Sequence, residues 1–331
     1  MKKTNRNMVC MMLATLVLFT SCIGKELSNN NIEGQYAYAF FTNVYEYRPT
    51  YMGGFVEFSK DGRFEDNRVY RFYENYSTGE QEYEYRVVYK GIWKIEKDTL
   101  RMSLSGSPRI EYLGKDDGYY YAEDVISNIY APCDCKIISL DKNIVVKRKD
   151  ALLELIPRNE GIKPISGKDK ETDEFLINDR GVGSHSILYP FYYEHPEDIR
   201  KVLGDKYIIE KDEGMYNDVY SFTLKSDTTV TFDWDDRRLV FRSPKFHTKS
   251  GLYVGCSIVD FLFINGFSKK CYTTKYEPTW VTDGEYKYYL SFYEPVSSHY
   301  REVSNNDYWS EGNITNLNAV ISAIVVDDYQ N

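Results

Sequence analysis

The chain of 331 residues holds only four histidines, His185, His195, His247 and His299, and none stands in a nucleophile-elbow, zinc-protease or thiol-protease setting. Ser184 and His185 are adjacent, and neighbours on an extended chain point to opposite sides, so they make no catalytic pair. The formal net charge is −9, so the surface repels phosphate backbones, and no Lys/Arg-rich run is long enough to overcome that, which argues against nucleic-acid binding. No apolar run reaches the roughly 20 residues that a membrane-spanning helix requires. Asp233, Asp235 and Asp236 crowd one segment, but the glycine and the distant glutamate of a calcium loop are missing, so they read as a solvated turn. No metal or cofactor is expected.

What is present begins with an address. Lys2, Lys3 and Arg6 precede a short apolar run from Met8 to Phe19, the layout of a secretory signal peptide over 1–21. Leu18-Phe19-Thr20-Ser21-Cys22 resembles the lipobox of bacterial lipoproteins. That resemblance implies that Cys22 is diacylated, becomes the mature N-terminus and holds the protein on a membrane; two acyl chains bind a bilayer stably where one does not. The polar stretch 22–31 reads as a tether, and Lys25-Glu26 is similar to the charged surface-export signals of Bacteroidetes lipoproteins. Loss of the three n-region cations takes the net charge of the mature chain from −9 to −12. The expected location is the bacterial cell envelope, on the outer membrane.

Of the six cysteines, Cys10 leaves with the signal and Cys22 carries lipid, leaving Cys133, Cys135, Cys256 and Cys271. Four cysteines in an oxidising compartment allow three pairings. Cys256 and Cys271 flank one expected helix and its return, which makes them the candidate disulfide. Cys133-Asp134-Cys135 fits a structural pair, two free thiols in a hairpin, or a strained and therefore reducible bridge with a redox role.

The 32 tyrosines and 17 phenylalanines fall in short alternating runs, which favours a mainly β chain. From 32 to 157 the pattern is strand, turn, strand. Tyr85, Val87, Tyr89, Trp93 and Ile95 share one parity and Glu84, Arg86, Lys90, Lys94 and Glu96 the other, with Gly91 expected to mark a bend or bulge. Asp61-Gly62 signals a hairpin between Phe55–Phe58 and Phe64, and Ile144–Val146 pairs with Leu152–Ile156. The order Gly34-Gln35-Tyr36, Phe58 to Phe64, Gly91 to Ile95 and Asp98-Thr99-Leu100 resembles the lipocalin-like domains of Bacteroidetes lipoproteins, which implies an N-terminal lipocalin-like meander or barrel.

Residues 158–174 hold Gly161, Pro164, Gly167 and a charged run, and read as a linker. In 175–331 a helix pattern, His195 to Gly204, recurs 62 residues on, with Asp260, Phe261, Ile264 and Gly266 answering Asp198, Ile199, Val202 and Gly204. Ser257 and Asp260 supply a capping pair for the second copy. Alternating strands follow each helix. This part is expected to be a duplicated helix-plus-antiparallel-sheet domain, so that the whole is mainly β with α+β. The stretch Ser243 to Ser257 resembles the approach to the helix in β-lactamase-inhibitor-protein-like domains, a resemblance that implies a protein-binding role.

Asp98-Thr99-Leu100 and Asp227-Thr228-Thr229 resemble the Bacteroidetes O-glycosylation pattern, making Thr99 and Thr228 candidate glycan sites. The expectation is a membrane-anchored, non-catalytic binding or scaffold module whose partner, a protein or a small apolar ligand, the sequence does not name. Two alternatives stand beside it: an envelope glycan-processing enzyme with dispersed carboxylates, and a carrier of a small apolar ligand inside the barrel.

Overall fold

In a computed structural model, the described residues are 32–45, 48–75, 80–113, 131–148, 151–159, 161–162, 173–179, 181–183, 185–186, 201–213, 218–235, 238–274, 278–291, 300–302 and 309–327. The signal segment, Cys22, the tether and most of the first expected helix lie outside them. Among the described residues no helix is long and apolar enough to cross a membrane.

The first body is an antiparallel barrel of lipocalin-like type. Strands β1 (Gly34–Tyr45), β2 (Arg48–Phe58), β3 (Arg63–Asn75) and β4 (Glu80–Glu96) form a meander, which continues through β5 (Thr99–Leu104) to β7 (Cys135–Leu140), β8 (Ile144–Arg148) and β9 (Ala151–Pro157). β9 returns to β1 and closes the circle, while β6 (Arg109–Tyr112) folds back onto β4. Closure removes free sheet edges. The two thinnest seams are β9–β1, with Ala37 opposite Ile156, and β5–β7, with Leu100 opposite Cys135.

The expected alternation decides which side chains enter the barrel. Tyr85, Val87, Tyr89 and Trp93 are buried, and Arg86, Lys90 and Lys94 face solvent. The Asp-Gly turn lets β2 pair with β3 in register, Gly62 taking a φ of 81° that suits glycine. Gly91 marks neither a break nor a bulge: β4 runs through it, with Gly91 opposite Phe64 on one side and Leu104 on the other. A Cβ there would come within 2.2 Å of the Ser103 carbonyl oxygen and 2.6 Å of the Phe64 ring. Close approach, not bending, requires glycine.

After a small three-stranded sheet of β10 (Ile177–Asn178), β11 (Gly181–Val182) and β12 (His185–Ser186), the second body is a large antiparallel sheet with one described α-helix. Residues 201–203 are helical, with Leu203 buried, and Gly204 follows at φ 66°. From there run β13 (Tyr207–Glu213), β14 (Asp218–Leu224), β15 (Thr231–Asp235) and β16 (Arg238–Phe241). The helix α1 (Ile258–Asn265) then opens a second run, β17 (Cys271–Thr274), β18 (Trp280–Thr282) and β19 (Lys287–Leu290); β20 (Tyr300–Glu302) and β21 (Trp309–Gly312) form an outlying pair before β22 (Ile321–Asp327) completes it. In space the order is β13-β14-β15-β16-β22-β19-β18-β17 and then β21-β20, so two helix-plus-four-strand units meet where their last strands, β16 and β22, pair. The expected hairpin after each helix is therefore half of each unit.

Helix α1 begins with a complete capping box: the Ser257 hydroxyl accepts from the Asp260 amide and the Asp260 carboxylate accepts from the Ser257 amide. It ends at Gly266, with φ 85°. Ile258, Val259, Phe261 and Leu262 bury into one cluster with Phe222, Phe232, Phe241, Tyr288 and Ile324 of the large sheet.

That cluster does not stop at the second body. Ala37, Tyr51, Val69 and Ile156, from the outer face of the barrel wall, belong to the same continuous core, and Phe55 stacks on Phe263 with ring centroids 3.7 Å apart. The expected linker is fastened at both described ends. The Asn159 amide donates to Asp260 at 3.3 Å, Ile162 is buried, and Asp173 binds His247 at 2.8 Å. Barrel and sheet are thus one packed unit.

Candidate functional site

Three arrangements of side chains could act on other molecules: the barrel interior, the second face of the large sheet, and the Cys133-Asp134-Cys135 segment.

Inside the barrel, period-2 alternation on β3 turns Phe64, Asp66, Arg68 and Tyr70 inward. Arg68 donates twice to Asp66, at 2.9 and 2.5 Å, and once to Tyr70 at 3.2 Å; Tyr38 donates to Asp66 at 2.5 Å. The guanidinium also lies over the Tyr38 and Tyr89 rings, 5.6 and 4.9 Å from their centroids. Burial pushes the phenols of Tyr38 and Tyr89 well above their ordinary range, so both stay neutral donors. A buried ion pair costs several kcal/mol of desolvation unless its remaining donors and acceptors are met, and here the tyrosines meet them. The barrel interior thus combines one self-satisfied polar network with an apolar core that includes Met52, Val56, Phe58, Phe64, Val87 and Trp93.

The large sheet has its helix-facing side in the common core, and its other side carries a different row. Glu311, Tyr272, Trp280, Tyr289 and Ala323 lie directly opposite one another across β21, β17, β18, β19 and β22. Trp280 and Tyr289 are buried with Val240, Ala323 and Val325 in a second cluster; half-buried Tyr272 stacks on Trp280 at 5.8 Å, and Lys287 lies over the Trp280 ring at 5.6 Å. Ion pairs border the row: Lys287 with Asp327 at 2.9 Å, Lys270 with Glu311 at 3.2 Å and Arg242 with Asp233 at 2.8 Å. Asp233 also accepts from Ser221 at 2.8 Å, so it is part of this ion-paired border and not of a cation loop. Among the described residues no group of three or more metal-ligating side chains comes together.

Ahead of β7, Asp134 turns away from both cysteines. Its carboxylate accepts from Arg101 at 2.5 Å and from the Met102 amide at 3.2 Å, which pins the segment to β5. Cys133 and Cys135 then share the opposite side, Cys135 buried and Cys133 half-buried. The Cys135 thiol donates to the Cys133 carbonyl oxygen at 3.2 Å, and the Cys133 thiol to the Asp134 carbonyl oxygen at 3.7 Å. The neighbouring Cys135 thiol, helped by the Arg148 guanidinium, holds the Cys133 thiol down at about 6 against burial and the Asp134 charge. Hydrogen bonding to Cys133, then burial and the Cys133 charge, push Cys135 far upward.

The expected Cys256–Cys271 disulfide does not form: both are buried free thiols. Cys256 lies in the turn before α1, its sulfur accepting from the Tyr253 amide at 3.2 Å, whereas Cys271 opens β17 with its sulfur 3.5 Å from the Gly312 and Asn313 carbonyl oxygens. Pairing of β17 with β21 sets that direction, which the spacing in sequence could not reveal. Thr99, half-buried, lies opposite Lys136 on β5, its hydroxyl donating to Asp98; Thr228 is exposed in the turn between β14 and β15. Cys22, Ser184, His195 and His299 lie outside the described residues. His247 binds the Lys245 carbonyl and Asp173, serving as a strut between segments.

What is defined so far is a class: a lipocalin-like barrel fused through a shared core to a duplicated α+β sheet. No protein-family model matches the chain, and a search of curated proteins finds no relative.

Proposed function

We propose that the protein is an envelope lipoprotein, acylated at Cys22, whose barrel and duplicated sheet form a non-catalytic scaffold that binds a protein partner. The observation that carries this reading is half-buried Tyr272, stacked on the buried Trp280 ring and bordered by the Lys270–Glu311 and Lys287–Asp327 ion pairs. An aromatic side chain presented within a charged rim fits the anatomy of a protein interface, in which a few aromatic residues supply most of the affinity. The shared core behind the sheet keeps that face rigid, which lowers the entropy lost on binding.

The carrier and glycan-enzyme readings have less support. The barrel interior is occupied by its own side chains, the bonded group of Arg68, Asp66, Tyr38, Tyr70 and Tyr89 and the packed cluster around Phe58, Phe64 and Trp93, which counts against a bound guest. The two fully buried carboxylates among the described residues, Asp66 and Asp260, are engaged by Arg68 and Tyr38 and by Ser257 and Asn159.

The test is affinity capture from solubilised envelopes with the acylated parent and with Tyr272→Asp. A partner held by the parent and lost from the variant, at unchanged melting temperature, is expected; equal retention by both overturns the binding face. Cys22→Ser should release the protein from membranes, and unchanged fractionation overturns the anchor.

A further inference from the structure

We propose that Cys133 and Cys135 form a thiol–disulfide exchange site, with Cys133 as attacking sulfur and Cys135 as resolving sulfur, acting on protein dithiols and disulfides.

The two thiols differ in the way such a site requires. Cys133 is half-buried, within reach of solvent, and faces the Arg148 guanidinium on β8; Cys135 is 4% exposed and packs with the barrel core. An accessible thiolate beside a cation attacks, and a shielded thiol beside it waits. Their alignment is not incidental to the strand. Asp134 is held on the other side by Arg101 and the Met102 amide, and the following residue, Lys136, is locked opposite Thr99, with its ammonium 3.4 Å from Asp98. Both sulfurs are thereby kept on one side of an extended segment, where the Cys135 thiol already reaches its partner residue. The segment borders β5–β7, one of the thinnest seams of the barrel, so little of the ladder has to move when the sulfurs join.

The exchange balances as follows. The Cys133 thiolate attacks one sulfur of a partner disulfide; that bond breaks, a mixed disulfide forms, and the displaced partner sulfur leaves with the electron pair. Cys135 then gives up its proton to the leaving thiolates through solvent and attacks the Cys133 sulfur. The Cys133–Cys135 bond forms, the second partner sulfur departs, and two protein thiols have been oxidised while one partner disulfide has become two thiols. A bridge across a single intervening residue is strained, and strained bridges are readily reduced, so the oxidised form passes its disulfide on to a partner dithiol by the reverse steps.

The experiment equilibrates the full chain in mixtures of reduced and oxidised glutathione, quenches with an alkylating agent, and maps each cysteine by peptide mass. The expected result is a Cys133–Cys135 bridge whose fraction follows the glutathione ratio reversibly, with Cys256 and Cys271 remaining thiols. Cys135→Ser should accumulate a mixed disulfide of glutathione on Cys133, formed more than about tenfold faster than on Cys256 or Cys271. Cys133→Ser should form none on Cys135 while the fold persists. A pair that stays reduced at every ratio, or glutathione on Cys135 in preference to Cys133, overturns the assignment.

Discussion

The guanidinium of Arg71, wholly buried, reaches out of the barrel wall and donates to the side-chain oxygen of Asn313 in the second body at 2.7 Å, across 242 positions of sequence. The same group donates to the Phe267 carbonyl at 3.1 Å and to Glu84 at 2.8 Å, and lies over the Tyr51 ring. One side chain from β3 thus meets the chain end of α1, the segment before β22 and its own barrel. It explains how two sheets with separate hydrophobic patterns come to share one core.

Removing this group should separate the two bodies. Arg71→Met leaves Asn313 and the Phe267 carbonyl without their donor in a buried place and Glu84 without its cation, at a cost of about 3 kcal/mol. Denaturant unfolding followed by tryptophan fluorescence should lose midpoint and broaden or split, because Trp93 reports the barrel and Trp280 the sheet. A single transition unchanged from the parent would refute the role of Arg71 as the link.

The seam also tolerates no added bulk at Gly53. A Cβ there would lie 2.7 Å from the Phe267 ring and 2.5 Å from the Tyr51 hydroxyl, which itself donates to the Ile314 carbonyl at 2.9 Å. Gly53→Ala should destabilise by about 1–3 kcal/mol through overpacking, measurable as a lower thermal midpoint. Phe267→Ala combined with it should be less damaging than the two single effects added together, since both act on one contact.

Asp260 serves the helix and the seam at once. Its carboxylate caps α1 through Ser257 and accepts from the Asn159 amide at 3.3 Å. Asp260→Ala should cost about 1–2 kcal/mol, more than Ser257→Ala, because it also orphans an amide from beyond the barrel. Hydrogen exchange should show faster exchange at Asn159 only in the Asp260 variant.

Cysteine alkylation gives the pH dependence. With the Cys135 thiol donating to Cys133 and Arg148 beside it, Cys133 ionises at about 6, so its folded form is largely thiolate above that value. Its reaction with iodoacetamide should rise as pH increases through about 6 and level off by neutrality, where an ordinary thiol is still rising. Cys135→Ala should move that midpoint upward. Cys256, pushed up to about 12 by burial, should remain unlabelled until the protein unfolds, and in Cys133→Ser, which cannot form the exchange bridge, added reductant should leave the thermal midpoint unchanged, since no Cys256–Cys271 bridge exists to break.

Much of this architecture was written in local pattern. The alternation from Glu84 to Glu96, the Asp61-Gly62 turn, the pairing of Ile144–Val146 with Leu152–Ile156, and the capping box at Ser257 and Asp260 each depend on residues close in sequence, and each is found in the fold. Glycine was ambiguous because its reasons are not local. Gly91 looks like a break in a strand until the Ser103 carbonyl and the Phe64 ring are seen beside it.

The sequence by itself determined that the chain is mainly β, where most strands turn, and that a helix-led unit occurs twice, because strand parity, turn residues and helix caps act over a few residues. Tertiary structure alone decided the rest: the closing of β9 on β1, the docking of the barrel wall on α1 through Arg71 and Phe55, the row of Tyr272, Trp280 and Tyr289, and the separation of Cys256 from Cys271. Those contacts join residues tens to hundreds of positions apart, and which of many apolar or polar partners meet is settled only when all elements pack together at once.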